Sequence, residues 1–278
     1  MPFFYGQMIE VRDLTFSYPS LRSRPKPVFA GLNLSIPRGR YVALMGPNGS
    51  GKTTLGKIIK GLLSPSSGQV FIDGQALKPG EISPQVGYVF SHPENQIVSS
   101  VVEEDVAFGL ENMGMEPSIM ALRVGESLRL VEMEQFRHHA PHLLSGGQQQ
   151  KVVLAGILAM ESEVLVLDEP TSMLDLKERE EILKLLQKVQ GRERKTILHI
   201  THSFEEAWRA QDIIYLNQGR VSFYGSVEDF FSQDRLPDSP WGELPPLFRL
   251  IRGLRNLGHP IPSGVQSLEE LKKFLLQS

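Results

Sequence analysis

The chain contains no cysteine, and this absence excludes several kinds of protein at once. A disulfide scaffold, a thiolate zinc site and a cysteine nucleophile all require the thiol group. With 278 residues, the chain can bury about 75% of the surface that it exposes when unfolded, so its core needs no covalent or metal support. The lack of cysteine also suits a reducing compartment.

Long apolar runs and an excess of positive charge are missing as well. The longest mostly apolar stretch, Val152 to Met160, is well short of the roughly 20 residues of a membrane-spanning helix. The first charged residue is Glu10 and no basic segment precedes an apolar run, so we expect no signal peptide. The net charge is −3, whereas nucleic-acid-binding proteins usually carry a basic face. We therefore expect no nucleic-acid partner.

The order of the apolar segments predicts an α/β fold. Short, continuous apolar runs are typical of strands buried on both faces of a parallel sheet. They occupy residues 41–45, 164–167, 196–200 and 212–216. Alternating apolar residues and turn signals predict the other strands, within 9–18, 32–36, 69–72, 85–90 and 220–224. Because helix-like segments separate the central runs, we predict a largely parallel sheet.

Two regions differ from this alternating pattern. Residues 100–160 show helical periodicity and no good strand, which indicates an inserted helical subdomain. After about residue 226 prolines become frequent, so we divide the chain into a core unit, 1–226, and a small C-terminal unit, 227–278. A capping box at Ser203 and Glu206 and a similar pair at Ser267 and Glu270 predict two helix starts.

The segment GPNGSGKT matches the phosphate-binding pattern G-x-x-x-x-G-K-[ST], and it lies between a predicted strand and a predicted helix. Glycines let successive backbone N–H groups point at phosphate oxygens, and the helix N-terminus adds a positive dipole. We expect Lys52 to reach the β- and γ-phosphates and the Thr53 hydroxyl to bind Mg²⁺. The predicted nucleotide-binding residues here are Gly46, Pro47, Asn48, Gly49, Ser50, Gly51, Lys52, Thr53 and Thr54.

An acidic pair follows the buried run at 164–167. Alternation along an extended chain sends Asp168 and Glu169 in different directions, so one can hold a metal ion while the other faces water. Acidic residues are also common at helix starts. Beside a phosphate-binding loop, however, the pair predicts Asp168 as a Mg²⁺ ligand and Glu169 as a general base.

The segment LSGGQ has two interpretations. Locally, Ser145 and Gln148 form the pattern of a capping box at a helix start. Two adjacent glycines are poor for helix stability, however, and exposed N–H groups with a serine hydroxyl make a second anion site. In that case one nucleotide can be shared between two copies of the chain. The residues of this site are Ser145, Gly146, Gly147 and Gln148.

From residue 8 to about 226, the order of these motifs resembles the ATP-binding cassette (ABC) ATPase family. The resemblance implies a P-loop NTPase fold of the ABC type, with an antiparallel β edge and a helical subdomain that carries LSGGQ. It implies ATP and Mg²⁺ as cofactors. It also implies a dimer with a second ABC ATPase chain, identical or paralogous, in which each LSGGQ closes on ATP at the other chain's P-loop.

The resemblance assigns roles to three further residues. Tyr18 falls where the family stacks an aromatic ring on adenine, although it can equally be an exposed tyrosine at a strand end. Asp175, in the segment SMLD, would bridge the two sites of the dimer, and a helix N-cap before Glu178 is its local alternative. His202, just after a core strand, would contact the γ-phosphate and polarise the attacking water. The other six histidines are expected at the surface.

Within the family, residues 90–112, the segments DEPTSMLD and AGILAM, and the C-terminal LPPLFRLIRGLRNLG resemble the ATPase subunits of energy-coupling factor importers, which take up vitamins and transition-metal ions. This implies a peripheral position on the cytoplasmic face of the membrane. The implied partners are a membrane-embedded coupling protein and a substrate-binding membrane subunit.

Other functions within the family are less well supported by the sequence. A conventional ABC importer with paired permeases is the main alternative. Soluble ABC proteins of chromosomes or ribosomes carry long coiled-coil insertions or two cassettes in one chain, and 278 residues hold neither. The presence of Glu169 disfavours a binding module without catalysis.

One position departs from the family pattern. The family usually has a glutamine directly after the strand at 85–90, where it touches Mg²⁺ and the water. Here that position is Ser91, and Gln96 lies five residues later in a turn that begins at Pro93. We expect both Ser91 and Gln96 to take part in coupling to the membrane partner, and Ser91 to slow turnover at this chain's own P-loop.

Overall fold

The computed structural model describes residues 6–19, 26–232, 246–262, 265 and 268–277. The strands within these ranges are β1 (Gln7–Phe16), β2 (Phe29–Pro37), β3 (Tyr41–Met45), β4 (Ser67–Ile72), β5 (Gln75–Ala76), β6 (Val86–Val89), β7 (Val164–Asp168), β8 (Thr196–Ile200), β9 (Asp212–Asn217) and β10 (Arg220–Ser226). The α-helices are α1 (Lys52–Lys60), α2 (Val102–Asn112), α3 (Pro117–Leu130), α4 (Gly146–Ala159), α5 (Leu176–Glu193), α6 (Phe204–Ala207), α7 (Val227–Ser232), α8 (Pro246–Asn256) and α9 (Leu268–Gln277).

The larger sheet has six strands in the order β10-β9-β3-β8-β7-β6. All neighbours pair in parallel except β10, which forms an antiparallel hairpin with β9. The prediction of a largely parallel sheet is confirmed. Since β3, β8 and β7 are neighbours and parallel, the residues that follow them, Gly46, Thr201 and Glu169, lie along one edge of the sheet.

A smaller antiparallel sheet, in the order β2-β1-β4-β5, packs over α1. The core has two layers, one on each face of the larger sheet. Successive residues of β3 pack in different layers, because successive side chains on a strand point to opposite faces. Val42 and Leu44 pack with α1 and the smaller sheet, whereas Ala43 and Met45 pack with the helices on the other face. The antiparallel β edge is confirmed; the sequence did not predict β5, which has only two residues, both exposed.

The region from 100 to 160 contains α2, α3 and α4 and, among its residues, no strand. Helix α4 packs on both α2 and α3, and its side chains Val152 and Leu154 are almost completely buried. Apolar residues of these helices belong to the same core cluster as Leu165 and Leu167 of β7. The predicted helical subdomain is therefore fixed to the sheet by apolar packing.

The C-terminal helices form a small apolar cluster of their own, in which Ile251 of α8 packs with Leu271 of α9. Helix α7 differs, because Phe230 and Phe231 belong to the main core. The predicted cap at Ser267 lies outside the described residues, and α9 begins at the next position. Among the described helices, none combines the length and the apolar character needed to span a bilayer.

Candidate active site

The loop between β3 and α1 has the backbone geometry that its glycines allow. Gly46 and Gly51 have φ angles of +143° and +106°, which strain a residue with a side chain. A Cβ atom at Gly46 would lie only 2.0 Å from the carbonyl oxygen of Leu216 in β9. Helix α1 begins at Lys52, so its first backbone N–H groups have no partner within the helix. The loop therefore presents main-chain donors, as a phosphate site requires.

Lys52 folds back into this loop. Its Nζ donates hydrogen bonds to the carbonyl oxygens of Gly46, at 2.8 Å, and Pro47, at 3.1 Å. Burial lowers the pKa of Lys52, and the nearby charges of Glu169 and Asp168 oppose this effect. The ammonium group can exchange its two carbonyl partners for phosphate oxygens, whose charge makes the stronger hydrogen bond.

Asp168, the last residue of β7, is buried and has two hydroxyl partners. Thr53 Oγ1 donates to Asp168 Oδ1 at 2.9 Å, so the two residues predicted to bind Mg²⁺ lie side by side. Tyr88 of β6 donates its hydroxyl to Asp168 Oδ2, also at 2.9 Å. Burial and the Asp168 charge raise the pKa of Tyr88, so this hydroxyl keeps its proton. Sequence reasoning missed Tyr88, because its pattern is that of an ordinary strand residue.

Glu169 leaves the strand in a left-handed conformation with φ of +50°. Its backbone N–H donates to the carbonyl oxygen of Ile200 at 3.0 Å, which ties the turn to β8. The carboxylate Oε1 lies 3.4 Å from Nδ1 of His202, and both side chains are accessible to solvent. Asp168 and Glu169 do point apart, but the backbone turn at Glu169, rather than alternation along an extended chain, separates them.

Tyr18 lies two residues beyond β1 and reaches α1. Its hydroxyl hydrogen-bonds with Thr54 Oγ1 at 3.0 Å, while its ring remains about half exposed and packs edge-on against Phe16. The structure therefore brings Tyr18 beside the phosphate-binding loop and leaves ring surface open.

The segment LSGGQ starts α4 with a complete capping box. Ser145 Oγ accepts from the backbone N–H of Gln148, and Gln148 Oε1 accepts from the N–H of Ser145. Asp175 is the N-cap of α5, because its Oδ1 accepts from the N–H of Glu178 at 2.8 Å, without the reciprocal bond of a capping box. Gly147 faces Glu178 so closely that an added Cβ would lie 2.7 Å from the carboxyl carbon. Both local interpretations are confirmed. Among the described residues, no hydrogen bond joins LSGGQ to the phosphate-binding loop of the same chain.

The profile of the ABC transporter family matches residues 29–172, about half of the chain. The chain belongs to this family. The energy-coupling factor transporter ATP-binding protein EcfA1 of Clostridium novyi is 38% identical over 274 residues, which cover 97% of this chain and 98% of the relative. The protein of the same name from Symbiobacterium thermophilum is 41% identical over 251 residues, which cover 89% and 88% of the two chains.

Solved structures of ABC proteins have the same fold. CbiO1 from Clostridium perfringens, part of the ABC transporter complex CbiONQ, matches with a TM-score of 0.76 at 30% identity and covers 92% of this chain and 96% of its own. An ATP-binding cassette in a dimeric post-hydrolysis state, bound to ADP and Pi, matches with a TM-score of 0.69 at 32% identity, over 79% and 99% of the two chains. The fold and the resemblance inferred from the motifs are confirmed: this chain is an ABC ATPase of the energy-coupling factor group.

In this ABC ATPase, Gln96 is bonded to the strand that precedes it. Its Oε1 accepts from the N–H of Phe90 at 3.1 Å, and its Nε2 donates to the carbonyl oxygen of Tyr88 at 2.9 Å. Gln96 therefore closes the turn onto β6, next to the residue that holds Asp168. Ser91 follows Phe90 within this turn and is partly buried.

Near His202, one prediction is confirmed only in part and another is wrong. Helix α6 begins after Ser203 as predicted, and Ser203 Oγ accepts from the N–H of Glu206, but the Glu206 carboxylate does not bond back to the Ser203 N–H. It accepts instead from the hydroxyls of Thr171 and Thr201, because both lie closer in the buried interior. His199 is fully buried rather than at the surface, since it lies on the central strand β8.

Proposed function

We propose that this ABC ATPase energises the import of a micronutrient, a vitamin or a transition-metal ion, as the ATP-hydrolysing subunit of an energy-coupling factor transporter. Similarity over nearly the whole chain to relatives of that name supports the transporter class. The catalytic part rests on the contact between Glu169 and His202 beside Asp168. The chain then works as a peripheral subunit on the cytoplasmic face of the membrane.

The nucleotide binds with its phosphates in the loop between β3 and α1. Lys52 turns from its two carbonyl partners to the β- and γ-phosphates, and the free N–H groups at the start of α1 donate to phosphate oxygens. The exposed ring face of Tyr18 stacks on the adenine. The same groups that line the loop in the free protein therefore orient the phosphates.

Thr53 and Asp168 would hold Mg²⁺. Their oxygen atoms lie 2.9 Å apart, so one cation can contact both, and oxygen ligands of this kind are what Mg²⁺ prefers. When bound, the ion neutralises charge on the β- and γ-phosphates during phosphoryl transfer. Tyr88 keeps the second oxygen of Asp168 occupied and so leaves Oδ1 facing the phosphates.

Hydrolysis needs a base and a group that stabilises the γ-phosphate. Glu169 takes a proton from water as the water oxygen attacks the γ-phosphorus and the bond to the β-phosphate oxygen breaks, which yields ADP and phosphate. His202 lies against the Glu169 carboxylate through Nδ1, and its other ring nitrogen can contact the γ-phosphate. Both side chains are exposed enough for water to reach them.

A second ABC ATPase chain, identical or paralogous, completes each site. The segment Ser145 to Gln148 of one chain contacts the ATP held by the other chain's P-loop, and Asp175 bridges the two sites. In support, the LSGGQ segment makes no hydrogen bond to its own P-loop among the described residues, so it is available to another chain. The related cassette bound to ADP and Pi is also dimeric.

The segment 90–112 faces the membrane-embedded coupling protein, through which the chain works with a substrate-binding membrane subunit. The turn closed by Gln96 carries this contact, and Ser91 lies inside it. Large apolar side chains are exposed around this turn and on α2 and α3, which suits a protein partner. They are Val98, Phe108, Met113, Ile119 and Leu122.

The substitution Glu169→Gln tests the catalytic assignment. The amide has almost the same size but cannot accept the proton, so we expect ATP binding to persist and the hydrolysis rate to fall by about 10²–10⁴-fold. Phosphate release and nucleotide titration measure the two quantities separately. Co-purification from membranes identifies the partner subunits. Near-parental hydrolysis by the variant would refute Glu169 as the base.

A further inference from the structure

Glu206 is a buried carboxylate to which the proposed reaction gives no role. It is 4% exposed and lies in the short helix α6. Thr171 Oγ1 donates to its Oε1 and Thr201 Oγ1 to its Oε2, each at 2.6 Å. His199 and Arg179 are the charged or titratable neighbours, at 3.4 and 3.7 Å.

These two threonines belong to the two catalytic segments. Thr171 lies two residues after Glu169, and Thr201 directly precedes His202. The two segments leave β7 and β8, which are neighbouring strands, and at their start the Glu169 N–H bonds to the carbonyl oxygen of Ile200. Each carboxylate oxygen of Glu206 is bonded to a different segment. Beyond that backbone bond, one buried carboxylate therefore connects the segment that carries the base to the segment that carries the histidine.

We propose that Glu206 is a positioning residue that sets the separation between Glu169 and His202, so that hydrolysis depends on a carboxylate that never contacts ATP. The inference rests on the proposed catalytic roles of these two residues. The 3.4 Å contact between Glu169 and His202 joins two exposed side chains, and such a contact is weak by itself. The buried bridge behind it supplies the rigidity that the surface pair lacks.

The charge of Glu206 is maintained by its surroundings. Burial raises the pKa of Glu206, but the contacts with His199, Thr171 and Thr201 outweigh this effect and lower it to about 2. As an ionised group it only accepts hydrogen bonds, so both hydroxyls must point inward. A neutral amide at this position would have to donate through one of its two ends and would disturb one of the two bonds.

The test compares threonine variants that separate the hydroxyl from the shape. Thr171→Val and Thr201→Val remove one bond each and keep the side-chain volume, while Thr171→Ser and Thr201→Ser keep the hydroxyl. We expect each valine variant to lower kcat by about tenfold with little change in KM or in ATP affinity, because displacement of catalytic groups affects turnover. The serine variants are expected to restore most of kcat.

Thr196→Val is the matched control. Thr196 lies at the other end of β8, is equally buried, and accepts a hydrogen bond from the N–H of Gly39. Loss of this hydrogen bond should lower the melting temperature without lowering kcat. In the Glu206→Gln background, a further Thr171→Val or Thr201→Val change should add little, since all three act through one bridge.

The outcomes separate this inference from the proposed function. If Glu169→Gln abolishes hydrolysis but both valine variants keep the parental kcat, the positioning role is wrong and the catalytic assignment stands. If serine and valine variants are equally impaired, packing rather than the hydrogen bond is responsible, and the inference also fails. If Glu169→Gln itself retains hydrolysis, the proposed function fails first.

Discussion

The P-loop and the LSGGQ segment of this ATPase differ in how completely they satisfy their own polar groups. In the P-loop, Lys52 uses two main-chain carbonyls, and the buried Ser50 hydroxyl has no hydrogen-bond partner among the described residues. In the LSGGQ segment, Ser145 and Gln148 satisfy each other in a closed capping box. The P-loop is therefore arranged for a ligand, whereas the LSGGQ segment is a stable helix start by itself.

A complete capping box does not prevent the same residues from contacting a second chain. Ser145 Oγ accepts a hydrogen bond in the cap, and a hydroxyl that accepts can still donate its hydrogen to a phosphate. Asp175 likewise uses Oδ1 for the N–H of Glu178, and a carboxylate has a second oxygen to offer. The comparison teaches that the local and the intermolecular interpretations of such motifs are compatible.

The largest effect is expected from Ser145→Arg, which tests whether the LSGGQ segment acts on another chain. Arginine removes the cap and fills the contact surface, so ATP binding to the single chain should persist while hydrolysis falls by about 10²-fold or more. Nucleotide titration and phosphate release measure the two effects. Ser145→Thr, which keeps a capping hydroxyl, is the control.

Mixing two inactive variants sharpens this test in a dimer of identical chains. When Ser145→Arg and Lys52→Ala chains are combined, one composite site carries both lesions and the other carries neither. Hydrolysis should therefore return, up to about half the parental rate. Two chains that remain inactive after mixing, although they form a dimer, would show that each segment serves its own chain.

Lys52→Ala is expected to have a smaller effect, on affinity rather than on assembly. It removes a charge-assisted contact worth about 1.5–3 kcal/mol, which corresponds to roughly a 10- to 150-fold loss in ATP affinity. Lys57→Ala, on the same helix but in its last turn, should bind as the parent does. Equal affinities for the parent and Lys52→Ala would overturn the P-loop assignment.

The smallest effect is expected at Ser91. Ser91→Gln restores the longer side chain and should raise basal hydrolysis a fewfold by orienting the attacking water. Gln96→Ala breaks the two bonds that close the turn on β6, so we expect uncoupled transport with basal hydrolysis preserved. ATPase rates with and without the membrane partner provide the measurement. No change in either rate for Ser91→Gln would show that Ser91 is only a strand-end residue.

Sequence reasoning found the features that are encoded in short segments. The glycine pattern around Lys52, the acidic pair after β7 and the cap at Ser145 each depend on neighbours within a few residues, and the structure has them in the predicted elements. The buried partners were not predictable in this way. Tyr88 meets Asp168 across 80 positions of the chain, and Glu206 meets Thr171 across 35.

The same distinction explains the incomplete capping box and the wrong expectation for His199. The spacing of Ser203 and Glu206 permits a capping box, but it does not show that two threonine hydroxyls lie closer to the carboxylate. The expectation of a surface position for His199 conflicts with its neighbours in TILHI, which indicate a buried strand. Its Nδ1 hydrogen-bonds with the hydroxyl of Tyr41 on the adjacent strand, which the sequence does not reveal.

Because the backbone at Glu169 is left-handed, the residue that would be most stable at this position differs from the residue that the proposed reaction needs. A residue with a side chain in this conformation costs on the order of 1 kcal/mol, which glycine avoids and asparagine partly avoids. Selection for heat resistance alone would thus draw position 169 towards glycine or asparagine. The proposed general base, in contrast, needs the carboxylate of glutamate. Replacing Glu169 with glycine should therefore stabilise the turn at the end of β7 while it abolishes hydrolysis.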